Sequence, residues 1–119
     1  MAQYNPDYLK KKIEKLLPGW KSSKKRIVIY GAGQHTENLF DWTDISKARI
    51  VGIVDSNPNI HNSAFGELIV KSPSQIENFR PDVILISSNS SQEEILQGLE
   101  RISGADIEIT CLYDSQKDG

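Results

Sequence analysis

Cysteine is nearly absent from this chain: Cys111 stands alone in 119 residues. One thiol excludes an internal disulfide and any multi-cysteine zinc site. The only histidines, His35 and His61, are scattered and make no ligand set with it, so no metal centre is expected. Long hydrophobic runs are also missing; none approaches the roughly 18 residues needed to span a bilayer. Met1-Ala2-Gln3-Tyr4-Asn5 lacks the charged-then-apolar form of a secretory leader. The expected setting is therefore a reducing cytoplasm, with no membrane contact. No Gly-x-Ser-x-Gly elbow occurs, and no set of residues able to run a reaction unaided. We expect no catalytic residue, and whether the chain is an enzyme stays open.

What is present is the composition of one folded domain. Hydrophobic residues make up 38% and charged residues 25%, which fits a globular chain rather than a disordered one. Charge is unevenly placed. Residues 1–26 hold eight basic and two acidic side chains, and the remainder holds six basic and fourteen acidic ones. A basic arm raises nucleic acid as a partner. The spacing favours a plainer reading: Asn5-Pro6-Asp7 starts a helix, with Leu9, Ile13, Leu16 and Leu17 on one stripe. Lys10, Lys11, Lys12 and Lys15 lie mostly off that stripe, as a solvated face, so no nucleic acid is expected. Pro18-Gly19 is expected to end the helix, and Trp20 either anchors the chain's return or faces a partner subunit.

The most informative stretch is Arg26-Ile27-Val28-Ile29-Tyr30-Gly31-Ala32-Gly33-Gln34-His35-Thr36. It reads as a buried strand, a Gly-x-Gly turn and a helix start. Unpartnered amides at a helix N-terminus make an anion site, and glycine lets a phosphate approach the backbone. A second strand, Ile50-Val51-Gly52-Ile53-Val54, ends in Asp55, 22 residues after Gly33. A carboxylate about 20 residues past the glycines is where a ribose hydroxyl would be held, and it disfavours a 2′-phosphate. The third glycine of the full fingerprint is replaced by Thr36.

Five strands are expected, at residues 26–30, 49–54, 67–70, 82–87 and 107–112, mostly as continuous apolar runs of the kind buried on both faces of a parallel sheet. Helices are expected at 34–42, after Ser72-Pro73-Ser74-Gln75, and after Ser91-Gln92-Glu93-Glu94, the last two opened by capping boxes. On the last helix Ile95, Leu96, Leu99 and Ile102 share a face, and Gly104 stops it. The segment from Asp55 to Gly66 reads as a turn-rich loop. The expected fold is α/β, a Rossmann-like three-layer sandwich with a five-stranded, mostly parallel sheet of order 3-2-1-4-5 and an extra N-terminal helix. Residues 1–25 form the helix and connector, 26–113 the nucleotide-binding domain and 114–119 a frayed tail. A ligand would lie at the switch point outside the carboxyl ends of the first and fourth strands. The candidate binding residues are Gly31, Ala32, Gly33, Gln34, His35, Asp55, Ser87 and Ser88. Ser87 and Ser88 would donate to phosphate or sugar oxygens or cap the following helix, and His35 would meet an anion, act as an acid, or lie on the helix surface.

Ile29-Tyr30-Gly31-Ala32-Gly33-Gln34-His35, Val51-Gly52-Ile53-Val54-Asp55-Ser56-Asn57-Pro58, Phe65-Gly66 and Pro81-Asp82-Val83-Ile84-Leu85-Ile86 resemble small Rossmann-like domains of bacterial glycan-biosynthesis enzymes. These are the N-terminal domains of sugar N-acetyltransferases, nucleotide-sugar dehydratases and sugar methyltransferase accessory domains. The resemblance covers roughly residues 26–113 and implies a module binding NAD or a UDP-type nucleotide-sugar, within or beside a larger sugar-modifying transferase or dehydratase. By position it implies contacts from Gly31, Gly33, His35 and Asp55. The acetyltransferase relatives often carry Gly-His where this chain has Gln34-His35, and they continue into a catalytic β-helix that this sequence does not contain. The alternative is a non-catalytic scaffold that docks a catalytic partner through the N-terminal helix. A homodimer is compatible with either reading.

Overall fold

A computed structural model describes residues 3–102 and 106–114, apart from the side chain of Ile102. The expectations for Gly104, the place of Ile102 on its stripe and most of the tail lie outside the described residues. The chain runs α1 (Pro6–Ser22), β1 (Arg26–Tyr30), α2 (Gln34–Trp42), β2 (Arg49–Val54), β3 (Ala64–Phe65), β4 (Leu68–Lys71), β5 (Val83–Ile86), α3 (Gln92–Ile102) and β6 (Glu108–Cys111). Short 3-10 helices lie at Ile45–Lys47, Pro58–Ile60 and Pro73–Phe79.

Among the described residues the sheet has six strands in the order β3-β4-β2-β1-β5-β6. The five parallel strands take the 3-2-1-4-5 arrangement read from the sequence. β3 is an addition, antiparallel to β4, with Ala64 opposite Ile69 and Phe65 opposite Leu68. The two-residue turn between them has positive φ at Gly66 (+61°) and not at Glu67. Glycine at the first of two turn positions is what a tight hairpin requires. Two residues are too few for an alternating pattern, so this strand is invisible in composition.

Both faces of the sheet are covered, which explains the continuous apolar runs. Ile27, Ile29, Ile53, Val83 and Leu85 face Leu9, Ile13, Leu17 and Trp20 of α1 and Leu39 of α2. Val28, Val54, Ile84 and Ile86 face Ile76 and Leu99 on the other side. Helix α1 is therefore part of one covering layer rather than an appendage.

Asn5 caps α1 as expected, its Oδ1 accepting from Tyr8 N at 2.9 Å. The helix does not end at Pro18-Gly19; it runs on to Ser22 with Pro18 inside it. Proline forfeits one backbone bond, but Leu17 and Trp20 on either side bury their side chains, and that burial outweighs the loss. Trp20 is only 6% exposed, so it anchors the return to β1 and does not face a partner. Lys10, Lys11 and Lys15 are exposed, as read from the spacing.

The segment opened by Ser72 is a 3-10 helix, not an α-helix. Ser72 Oγ accepts from Ser74 N at 3.3 Å, while the Gln75 side chain turns to Asn78 instead of closing a capping box. No helix among the described residues is long and apolar enough to cross a membrane.

Candidate functional site

A cleft of about 580 Å3 lies over the carboxyl ends of β1 and β5, where the chain switches direction. Gly31, Gly33, Gln34, His35, Asp55, Ser87 and Ser88 all contribute to its walls. Each glycine has a different job. Gly31 has φ +125°, and a Cβ built there would sit 2.5 Å from the Ser87 carbonyl oxygen. It lets β1 and β5 close up. Gly33 has φ −105°, and a Cβ there would meet nothing within 4 Å. Gly33 caps α2 with its carbonyl, which accepts from Thr36 N and Glu37 N at 3.1 Å, and with no side-chain hydrogen bond, which leaves the Gln34 and His35 amides as the uncapped donors of the first turn.

The amides before it are already bonded. Gly31 N donates to Val54 O at 2.7 Å, and Ala32 N donates to Asp55 Oδ2 at 2.8 Å. The anion-facing donors are thus the amides of Gly33, Gln34 and His35, because Thr36 N already donates to Gly33 O at 3.1 Å, and Gly31 and Ala32 supply shape. Gln34 does not fill the cleft: its Nε2 donates along the helix to Asn38 Oδ1 at 3.0 Å. Asp55 is half-buried, with Oδ1 accepting from Asn57 N at 2.9 Å and Oδ2 taken by Ala32. It opens a turn and also borders the cleft, keeping lone pairs for a further donor because a carboxylate offers about four acceptor sites. His61 folds back on the same loop, its Nε2 donating to Asp55 O at 2.6 Å.

His35 is not on the helix surface. Only 8% exposed, it stacks on Tyr4 at 4.9 Å and meets Tyr113 edge-on. Its Nδ1 lies 2.7 Å from Ser87 Oγ, and its Nε2 is hydrogen-bonded to the Tyr113 hydroxyl. Burial pulls its pKa down to about 4, so the ring is neutral at pH 7. Both ring nitrogens and the Ser87 hydroxyl are occupied within the protein. To a ligand these two residues offer backbone, not side chain. Ser88 Oγ accepts from Ser91 N at 2.9 Å, closing the turn just ahead of α3.

Thr36, at the third fingerprint position, is fully buried. Its Oγ1 donates to Gly31 O at 2.8 Å and lies 2.7 Å from Ser87 Oγ. A glycine there would let helix and strand touch; threonine instead ties the turn to the helix by a hydrogen bond.

Several cleft residues carried no signal in the sequence. Tyr30, whose phenol pKa is raised by burial and then by the Asp55 carboxylate, lies beside Ser56 and Glu94. Pro73, Ile95, Gly98 and Leu99 form an apolar wall opposite the glycine turn. Outside the cleft wall, Gln92, 6% exposed, holds Tyr113 in place by accepting from its N (3.0 Å) and donating to its O (2.9 Å). These pairs are 21 residues apart, so only the folded chain brings them together. Among the described residues no three His, Cys, Asp or Glu side chains gather as a metal site.

A family model, C2185-like, N-terminal, matches residues 23–110, and the chain belongs to that family. No curated protein matches. Solved structures with the same fold include UDP-D-quinovosamine 4-dehydrogenase from Vibrio fischeri, at 16% identity and TM-score 0.57, covering 73% of this chain and 76% of that one. RSP, a Rex-family repressor, aligns at 16% identity and TM-score 0.56, over 85% of this chain and 61% of its own. RSP in complex with β-NAD+ and operator DNA aligns at 17% identity and TM-score 0.53, over 83% and 58%. The chain therefore spans about three-fifths of the repressor. Likeness at this identity establishes the Rossmann-like fold.

Proposed function

We propose that this C2185-like N-terminal domain is a nucleotide-binding module, taking an NAD-type dinucleotide or a UDP-type nucleotide-sugar and serving bacterial glycan assembly. The observation that supports it best is the open space above Gly33, where α2 amides with no side-chain cap face a cleft bordered by Asp55. Phosphate oxygens fit the amides, and a ribose hydroxyl fits the remaining lone pairs of Asp55. The NADH and NAD+ complexes of RSP support a dinucleotide as the first ligand to try. Its operator DNA belongs to a protein of which this chain spans 58%, and we propose no nucleic-acid role. The rival reading, a scaffold docking through α1, has less in its favour, because the apolar stripe of α1 is already buried against the sheet.

Thermal unfolding with NAD+, NADP+ and UDP-sugars tests the proposal. A ligand at ten times its dissociation constant adds about 1.4 kcal/mol, or roughly 5 °C in a chain this size. NAD+ or a UDP-sugar is expected to give that shift and NADP+ a smaller one. No shift with any of them would remove the proposal. Gly33→Ala supplies the matched control. It is expected to leave the unfolding free energy within about 0.5 kcal/mol of wild type and to weaken binding at least about tenfold by placing a methyl where the phosphate must sit. Unweakened binding in that variant would move the site elsewhere.

A further inference from the structure

Helix α3 carries a glycine that the fold does not ask for. Gly98 lies inside the helix, where glycine is the poorest former after proline. The usual reason for such a residue is a neighbour that leaves no room for a methyl. Gly52 is of that kind: a Cβ there would lie 2.7 Å from the Phe79 ring. At Gly98 a Cβ would meet nothing within 4 Å. The residue is exposed, and the space beside it is the cleft.

The surroundings say what that space suits. Glu94 and Gly98 are four residues apart and share the cleft-facing flank of α3. Ile95, Leu99 and Pro73 complete this wall. An adjoining hollow of about 210 Å3, between α3 and the 3-10 helix Pro73–Phe79, shares Pro73 and Leu99 and adds Ile76, Ile84 and Ile107. The wall is apolar, and it is flush where Gly98 lacks a side chain. A flat ring can lie against it. The lip of the wall is of one kind: the only charged side chains lining the cleft among the described residues, Asp55 and Glu94, are both carboxylates. Tyr30 lies between their fields, its phenol pKa raised by burial first, then by Asp55 and more weakly by Glu94. An ionised carboxylate only accepts hydrogen bonds. Adenine offers it an exocyclic amino group, a donor, whereas uracil offers carbonyl oxygens, which it repels.

We propose that the α3 wall is a base seat that selects adenine over uracil: Gly98 gives the ring room to lie against the helix, and Glu94 accepts from its exocyclic amino group. The ligand class of this domain is then an adenine dinucleotide of the NAD type and not a uridine nucleotide-sugar. This deepens the nucleotide-binding reading above and rests on it.

Calorimetric titration of the chain with NAD+, deamino-NAD+ and UDP-glucose tests the seat. Deamino-NAD+ differs from NAD+ in one group, a carbonyl oxygen in place of the amino group. Wild type is expected to bind NAD+ about tenfold more tightly than deamino-NAD+, the scale of one charge-assisted hydrogen bond, and more tightly than UDP-glucose. Glu94→Gln, whose amide donates as well as accepts, is expected to bring the two dinucleotides within about threefold of each other. Gly98→Ala is expected to raise the unfolding midpoint by about 3 °C, because alanine is the better helix former. It is also expected to weaken NAD+ binding about tenfold, because a helical Cβ tilts toward the N-terminus and the methyl would cover the wall beside Glu94. A glycine needed only for packing would not give a variant that is more stable and binds worse. A lower midpoint in Gly98→Ala, or unaltered NAD+ affinity in it, overturns the proposal. So does equal affinity of wild type for the two dinucleotides, or a preference that survives in Glu94→Gln. UDP-glucose bound as tightly as NAD+ overturns it too, and leaves the nucleotide-binding reading standing. Wild type that binds none of the three removes both.

Discussion

Gly31→Ala is expected to destabilise the fold by about 3 kcal/mol or more, through backbone strain and overpacking together. The residue sits at φ +125°, a region that L side chains rarely adopt, and a methyl would lie 2.5 Å from the Ser87 carbonyl oxygen. That oxygen is backbone at the end of β5, and it cannot swing aside as a side-chain tip would. Relief requires β1 and β5 to part, and these strands carry Ile29, Leu85 and Ile86, all at 0% exposure. A domain of this size has on the order of 10 kcal/mol in total, so the loss would be a large share of it. Urea unfolding measures it directly. Destabilisation under 1 kcal/mol would mean that the turn is looser than its geometry, and the contrast with Gly33→Ala would disappear.

The second large effect is a loss of stability in mild acid. His35 has its pKa lowered from 6.5 to about 4 by burial, so between those values the unfolded chain takes up a proton that the folded chain refuses. Stability contributed by the neutral ring is complete above pH 6.5, falls as pH drops toward 4, and levels off below. The full interval corresponds to an upper bound of about 3 kcal/mol, and about 2 is expected once partial solvent access is allowed for. Carboxylates titrate over part of the same range, so the quantity to measure is the difference between wild type and His35→Gln in unfolding free energy from pH 7 to pH 4.5. The gap should narrow as pH falls, because only wild type carries the linked proton. A constant gap would show that the imidazole titrates normally and that the packing of Tyr4 and Tyr113 around it is loose.

How much of this was legible beforehand differs by feature. The parallel strands and their order followed from the runs at Ile27–Ile29 and Val83–Ile86, because strands covered on both faces must be apolar throughout. The Gly-x-Gly turn was legible because only glycine tolerates the geometry at Gly31. The role of Gly33 was not separable from that of Gly31 in sequence; one fills a steric need within the fold and the other leaves room outside it. Pro18 misled because the local rule that ends helices at proline takes no account of Trp20, whose burial extends α1. The strand β3 was too short to show a period. Histidine at the first turn of α2 read as a surface or ligand-facing residue, since nothing near it in sequence announces Tyr4 and Tyr113.

By itself, then, the amino-acid sequence determined the layers, the strand order and the place of the cleft, because hydrophobic period and glycine sterics act over a few residues and leave their mark in local pattern. Tertiary structure decided which amides stay open, which way Asp55 points, and that His35 is a neutral, enclosed ring hydrogen-bonded to Ser87 and Tyr113. Those are outcomes of contacts between segments up to 78 residues apart. Hydrogen-bond partners and desolvation depend on what the fold brings alongside, and no neighbouring residue in the chain encodes them.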